Sequence, residues 1–217
     1  DKAPLKMEVN LPLLENLWMV ILHAVTKGLK MVVCDIKTVY LNAPIERDVN
    51  VRLPSKMPEG APWRPRQVVC LKKAMYGLTE SPALFINFME KVLEETGGKK
   101  IAHGLHRLNG GYIYAYVDDL LVVHEEPMTL IEVLKEKVDF GKIDEACERY
   151  LGFDLVKMTN GWNINLTSYV KSLSEPETRG TLTARCLECN GEAPEKKELI
   201  TEGQKLCGIL AWVARLS

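Results

Sequence analysis

The spacing of apolar positions predicts a helix first. Leu14, Leu17, Trp18, Ile21, Leu22 and Val25 recur at three- and four-residue intervals between Pro12 and Gly28, which places them on one stripe. Proline suits a first turn and glycine a terminus. Met31-Val32-Val33-Cys34 is instead a short unbroken apolar run. Its length and β-branching fit a buried strand, and it ends directly on a carboxylate, Asp35. Residues 49–53 alternate like a half-exposed strand. The four prolines between 54 and 66 demand a loop, and a further strand is predicted at 67–72.

A second helix opens at Ser81-Pro82, with Ser81 as cap and Pro82 at the first helical position. Leu84, Phe85, Phe88, Met89, Val92 and Leu93 form its apolar face, and Gly97-Gly98 stops it. Asn109-Gly110-Gly111 signals a hairpin between strands near 104–108 and 112–117. Residues 112–124, YIYAYVDDLLVVH, read as two strands around a turn made of two carboxylates, Asp118 and Asp119. Periodicity through Leu130, Val133, Leu134, Lys137 and Val138 predicts a third helix. Strands at 150–157 and 162–166 flank the turn Thr159-Asn160-Gly161. Polar residues 174–198 read as a linker, and a last amphipathic helix runs over about 199–215. Helices mixed with antiparallel hairpins, without parallel alternation, make the fold α+β.

Composition narrows the classes. With 217 residues, 47% hydrophobic and 26% charged, the chain is one large globular domain or one domain with an appendage, not a fibre or a disordered chain. No apolar run approaches the roughly 18 residues of a membrane span, and the first residues lack a secretory layout. A net charge of −1 argues against coating nucleic acid by bulk charge but permits a local basic groove. Arg52, Lys56, Arg64, Arg66, Lys72 and Lys73, against Glu59, are either such a groove or a solvated loop. Cys34, Cys70 and Cys207 lie in apolar runs, which predicts buried, reduced thiols and an intracellular reducing compartment. Cys186 and Cys189 are half a zinc ligand set. The complementary pair, His103 and His106, is far away in sequence, so no zinc is expected. Tyr112, Tyr114 and Tyr116 share one strand face and are read as packing, and His124 as a strand-end residue.

The chemistry sits in the carboxylates. Asp118 and Asp119 are adjacent and flanked by apolar residues, so their repulsion rises with burial. If the strand ending at Asp35 neighbours this hairpin, three carboxylates converge. Hard oxygen donors of this kind suit Mg²⁺, and two such ions about 3.5–4 Å apart stabilise both oxygens of a phosphoryl transfer.

Five motifs in order then resemble one family, the reverse transcriptases of copia-type retrotransposons. Tyr116-Val117-Asp118-Asp119 resembles the catalytic hairpin. Asp35-Ile36-Lys37-Thr38-Val39-Tyr40-Leu41-Asn42-Ala43 is similar to the first catalytic motif. Lys73-Ala74-Met75-Tyr76-Gly77-Leu78 with Ser81-Pro82 resembles the K-x-L-Y-G-L block, Tyr150-Leu151-Gly152 the Y-L-G strand, and residues 208–215 the G-x-L-x-W-x-A-R segment. The resemblance implies a polymerase palm over residues 1–173 with the start of a thumb, an antiparallel sheet backed by helices, then the linker and the C-terminal helix, here taken as 199–217. It implies that the chain begins after the fingers segment.

The same resemblance assigns roles. Asp35 and Asp118 ligate Mg²⁺ or Mn²⁺, with Asp119 supporting. Tyr40 lies under the incoming sugar and disfavours a 2′-hydroxyl, while Tyr76 and Gly77 line the nucleotide and template side. Tyr116 and Val117 touch the primer end, which Leu151 and Gly152 grip. The implied function is RNA-directed DNA synthesis on an RNA/DNA primer–template. Missing fingers, lost cations and the near-zero net charge favour the alternative, an inactive palm serving as a structural subunit among other proteins, and the motifs show three departures. The small residue before the family's aromatic is Val39. Thr79-Glu80 replaces a basic–polar pair, which puts a negative charge near the expected substrate. Pro82-Ala83-Leu84-Phe85 loses a further cation.

Overall fold

The computed structural model describes residues 11–159, 161–173, 204, 205, 207–212 and 214. Helix α1 (Leu14–Lys27) buries Leu14, Leu17, Val20, Ile21 and Ala24. It ends where the sequence predicts. Gly28 turns left-handed at φ 65°, and Leu29 N–H donates to Ala24 O at 2.9 Å, closing the last turn. Leu22, counted on the apolar stripe, faces solvent.

Strand β1 (Lys30–Ile36) follows, then a 3-10 turn (Val39–Asn42), β2 (Pro44–Arg52), β3 (Val68–Lys73) and α2 (Ser81–Glu95). Next come β4 (Lys99–Ala102), β5 (Leu105–Leu108), β6 (Gly111–Tyr116), β7 (Asp119–His124) and α3 (Pro127–Lys135). The unit ends with β8 (Phe140–Asp144), β9 (Arg149–Tyr150), β10 (Phe153–Met158), β11 (Gly161–Asn165) and α4 (Thr167–Ser172). Six strands form one sheet in the order β4-β5-β6-β7-β1-β8, every neighbouring pair antiparallel. β2 and β3 form a separate ribbon, and β9, β10 and β11 a small third sheet. This is the α+β architecture expected.

Strand alternation divides the large sheet into two faces. Val32, Cys34, Ile36, Ile113, Ala115, Leu120 and Val122 pack with Phe85, Met89 and Leu93 of α2 and with Leu130, Ile131 and Leu134 of α3 in one core. α1 lies against the other face. Tyr114 is fully buried there and donates its hydroxyl to Leu13 O at 3.1 Å. Tyr112 meets His23 edge-on at 5.1 Å, and Trp18 meets Phe153 at 4.7 Å. The tyrosine row is packing, as its alternation predicts.

Several local expectations are corrected. Ser81 is not the cap of α2. Glu80 holds that position, and Ser81 donates its hydroxyl back to Met75 O at 2.7 Å, fastening the preceding loop instead. Of Tyr150-Leu151-Gly152 only Tyr150 is a strand residue. Leu151 and Gly152 take φ 50° and 88° and turn β9 into β10. β4 and β8 escape the sequence because both are short edge strands carrying lysines, without clean alternation. Cys34 is buried, but Cys70 and Cys207 are exposed.

The chain divides between Leu173 and Ser174 into two units. In the second, residues 204, 205, 207–212 and 214 are helical. The linker with Cys186 and Cys189 lies outside the described residues.

His106 on β5 is completely buried, and neither ring nitrogen has a hydrogen-bond partner. Burial holds its pKa below 6.5; Glu90 and Glu94 oppose that shift, and Lys100 and His103 add to it. A histidine depressed in the folded state takes its proton first in the unfolded chain, so stability falls as pH drops below about 6.5. His106→Phe should remove that loss. Melts at pH 5 and pH 7.5 should show the variant gaining on wild type at pH 5, and an equal difference at both values would contradict the assignment.

Candidate active site

β1 and β7 lie side by side in unbroken register, from Lys30 opposite His124 to Asp35 opposite Asp119. Directly opposed residues of an antiparallel pair project to one face, so Asp35 and Asp119 are cross-strand neighbours. Asp118 lies on the turn that joins β6 to β7, where Val117 takes φ 54°. Ile36 N–H donates to Asp118 O at 2.9 Å, which ties that turn to the end of β1. Asp119 thus begins a strand; only Asp118 is a turn residue.

Tyr150 fixes the hairpin from beneath. Its buried hydroxyl lies 3.1 Å from Asp119 O and 3.3 Å from Tyr114 O. Burial keeps its phenol well above the ordinary value, so it stays a proton donor to the two carbonyls. The sequence displays this tyrosine inside Y-L-G but not its partner.

The carboxylates crowd one another. Burial pushes the Asp119 carboxyl up to about 6, with Asp118 and then Asp35 adding to the shift. No described Lys, Arg or His forms an ion pair with any of the three. Among the described residues no three His, Cys, Asp or Glu side chains make a ready-built metal cage. Mg²⁺ does not require one, because one or two carboxylates hold it while waters and substrate phosphates complete the shell. Asp35 and Asp119, hard oxygen donors without an ion-pair partner among the described residues, fit that ion.

Tyr40, in the 3-10 turn, packs edge-on against Tyr76 at 4.8 Å and Phe85 at 6.3 Å. Its phenol is raised by partial burial and then by the charges of Asp118 and Tyr76. Tyr76 is exposed and Gly77 takes φ 96°, turning the chain toward α2. Tyr116 is buried, and Val117 packs partly into the core. Leu151 and Gly152 form the turn directly after Tyr150.

The family model for reverse transcriptase (RNA-dependent DNA polymerase) matches residues 7–183. The chain belongs to this family. A putative transposon Ty5-1 protein of Saccharomyces cerevisiae is 28% identical over 200 residues. That overlap covers 83% of this chain and 63% of the relative, so the chain spans less than two thirds of the relative's length. Both findings support the copia-type assignment made from the five motifs.

One expected departure from this family changes meaning. Glu80 is buried and accepts from Arg47 Nε at 2.9 Å, with a second contact from Arg47 Nη2. Thr79 also donates to it at 3.2 Å. The Arg47 guanidinium holds the Glu80 carboxyl below its usual value. Its charge is therefore answered locally rather than presented to a substrate. Arg47 lies 33 residues upstream, and no spacing rule connects the two.

The crowding of Asp119 predicts a trade of stability for charge. Its folded-state value of about 6 lies above the reference 3.8. Folding therefore favours the protonated form; the gain is complete below about pH 4 and lost as pH rises through about 6. Asp119→Asn removes the charge and keeps the shape. It should raise stability at pH 8, by at most about 3 kcal/mol, and leave it unchanged near pH 3.5. Thermal melts of both proteins at the two pH values check this, and a variant destabilised at pH 8 would contradict it.

Proposed function

We propose that this chain carries the catalytic palm of an RNA-directed DNA polymerase that transfers nucleotides with two metal ions. The observation that carries the proposal is the register placing Asp35 opposite Asp119, with Asp118 on the adjoining turn. Asp35, Asp118 and Asp119 are the residues to hold Mg²⁺ or Mn²⁺, which when bound supplies positive charge to the attacking and leaving oxygens. Tyr40, braced by Tyr76, forms a wall beside Asp118 against which a deoxyribose packs and a 2′-hydroxyl is disfavoured. Tyr76 and Gly77 border the template side. The primer end rests on the Tyr116-Val117 turn and on Leu151-Gly152, both held in place by Tyr150.

The β2–β3 ribbon supports a nucleic-acid partner. Arg52, Lys56, Arg64, Arg66, Lys72 and Lys73 are all exposed, and none forms an ion pair among the described residues. Lys73 is paired in register with Pro44, two residues past the 3-10 turn that bears Tyr40. The cations therefore extend away from the nucleotide wall, where template phosphates can follow them. The competing function, a structural subunit of a larger protein assembly, loses the argument from Glu80, because Arg47 answers that charge. Free Cys34, Cys70, Cys147 and Cys207 suit an intracellular, reducing setting. Among the described residues no helix is long and apolar enough to cross a membrane.

Primer extension on an RNA template tests the proposal. The expected result is Mg²⁺-dependent incorporation that Asp118→Asn lowers by a factor of about 100 or more. Extension that is absent in wild type, or equal in the variant, would overturn it.

A further inference from the structure

Asp35 faces Asp119 on one side and β8 on the other. The β1–β8 ladder pairs Cys34 with Ile143 and Ile36 with Phe140, and its register slips between those two pairs. One residue of β1, Asp35, therefore stands opposite two of β8, Gly141 and Lys142. This is a bulge, a place where a strand re-aims its side chains. Gly141 does not take a left-handed backbone, so conformation alone would admit any residue there. Space does not. A Cβ at position 141 would collide with Asp35 Oδ2 and stand 3.4 Å from Asp35 Cγ.

We propose that Gly141 is a positioning residue for the metal site: the side chain it lacks leaves the volume that the Asp35 carboxylate occupies beside Asp119. The proposal rests on the metal-binding function argued above and extends it to a residue outside all five motifs. The colliding atom is the far end of a short side chain, not backbone. A methyl group at 141 is therefore relieved by rotating Asp35 about its own bonds, while the sheet stays intact. The two oxygens that should converge on one ion then diverge. Residues that only orient metal ligands, when altered, weaken metal binding by about 10–100-fold.

The test compares wild type, Gly141→Ala, Lys142→Ala and Asp118→Asn in two measurements. The first is Mn²⁺ affinity by electron paramagnetic resonance, with melting temperature recorded alongside. The second is the χ1 rotamer of Asp35 in the metal-free protein, from three-bond couplings. Gly141→Ala should bind Mn²⁺ at least about 10-fold more weakly, with a changed Asp35 rotamer. Lys142→Ala, on the same bulge, should match wild type in both. Wild-type affinity and an unchanged rotamer in Gly141→Ala would overturn the proposal. Wild type that binds no better than Asp118→Asn would overturn the metal-site function itself, and the rotamer comparison would still decide whether Gly141 places Asp35. If Gly141→Ala fails to fold, the same change in an Asp35→Ala background decides. Recovery of the fold there supports the collision, and failure in both backgrounds refutes it.

Discussion

The antiparallel pairing of β1 with β7 is the constraint on which the site depends. Six register pairs join the strands, and sheet periodicity allows no half-measures: a slip by one residue would turn every side chain to the opposite face. Val32, Cys34, Leu120 and Val122 of that ladder are claimed by the core under α2 and α3, while Met31, Leu121 and Val123 are buried on the face that Asp35 and Asp119 share. Burying the first four on one face leaves Asp35 and Asp119 opposed on the other. The hydrophobic core thus sets the position of a polar pair that adds nothing to it.

That pair is held against its own electrostatics. Asp119 is pushed up to about 6 by burial and two neighbouring carboxylates, and among the described residues no cation pairs with it. Backbone ties bear the load instead: Ile36 N–H to Asp118 O, and the Tyr150 hydroxyl toward Asp119 O. Elsewhere the same chain answers buried charge fully. Glu80 has Arg47 and Thr79, and Glu90 has Lys100 at 2.7 Å and His103 at 2.9 Å. A carboxylate group without an ion-pair partner among the described residues, in a chain that pairs Glu80 and Glu90, supports the proposed role of receiving a charge from outside.

What the sequence made legible follows from where the information is local. α1, β1, α2 and the β6–β7 hairpin rest on periodicity and on glycine or proline punctuation, and they occur as predicted. Ser81 failed as a cap because a tertiary partner, Met75 O, captured its hydroxyl. Leu151-Gly152 reads as strand through its resemblance to the Y-L-G motif, although a glycine after a bulky residue also signals a turn. The three aspartates could be read as a set from the residues only on the condition that β1 neighbours the hairpin, and that pairing is long-range. Gly141 carried no signal, because β8 itself escapes the sequence and the approach of Asp35 comes from long-range pairing. Arg47 carried none and Tyr150 only its place in Y-L-G, since each acts on a residue 31 or more positions away.

The central claim is that one uncompensated carboxylate site, at the junction of β1 and β7, attracts a divalent cation. Paramagnetic broadening of amide resonances by substoichiometric Mn²⁺ tests it directly. The account predicts broadening centred on Asp35, Asp118 and Asp119, reaching Tyr40, Gly141 and Tyr150, and sparing His124 at the other end of β7. Broadening centred on the Glu90 or Glu126 carboxylates, or spread evenly over the surface, would contradict it.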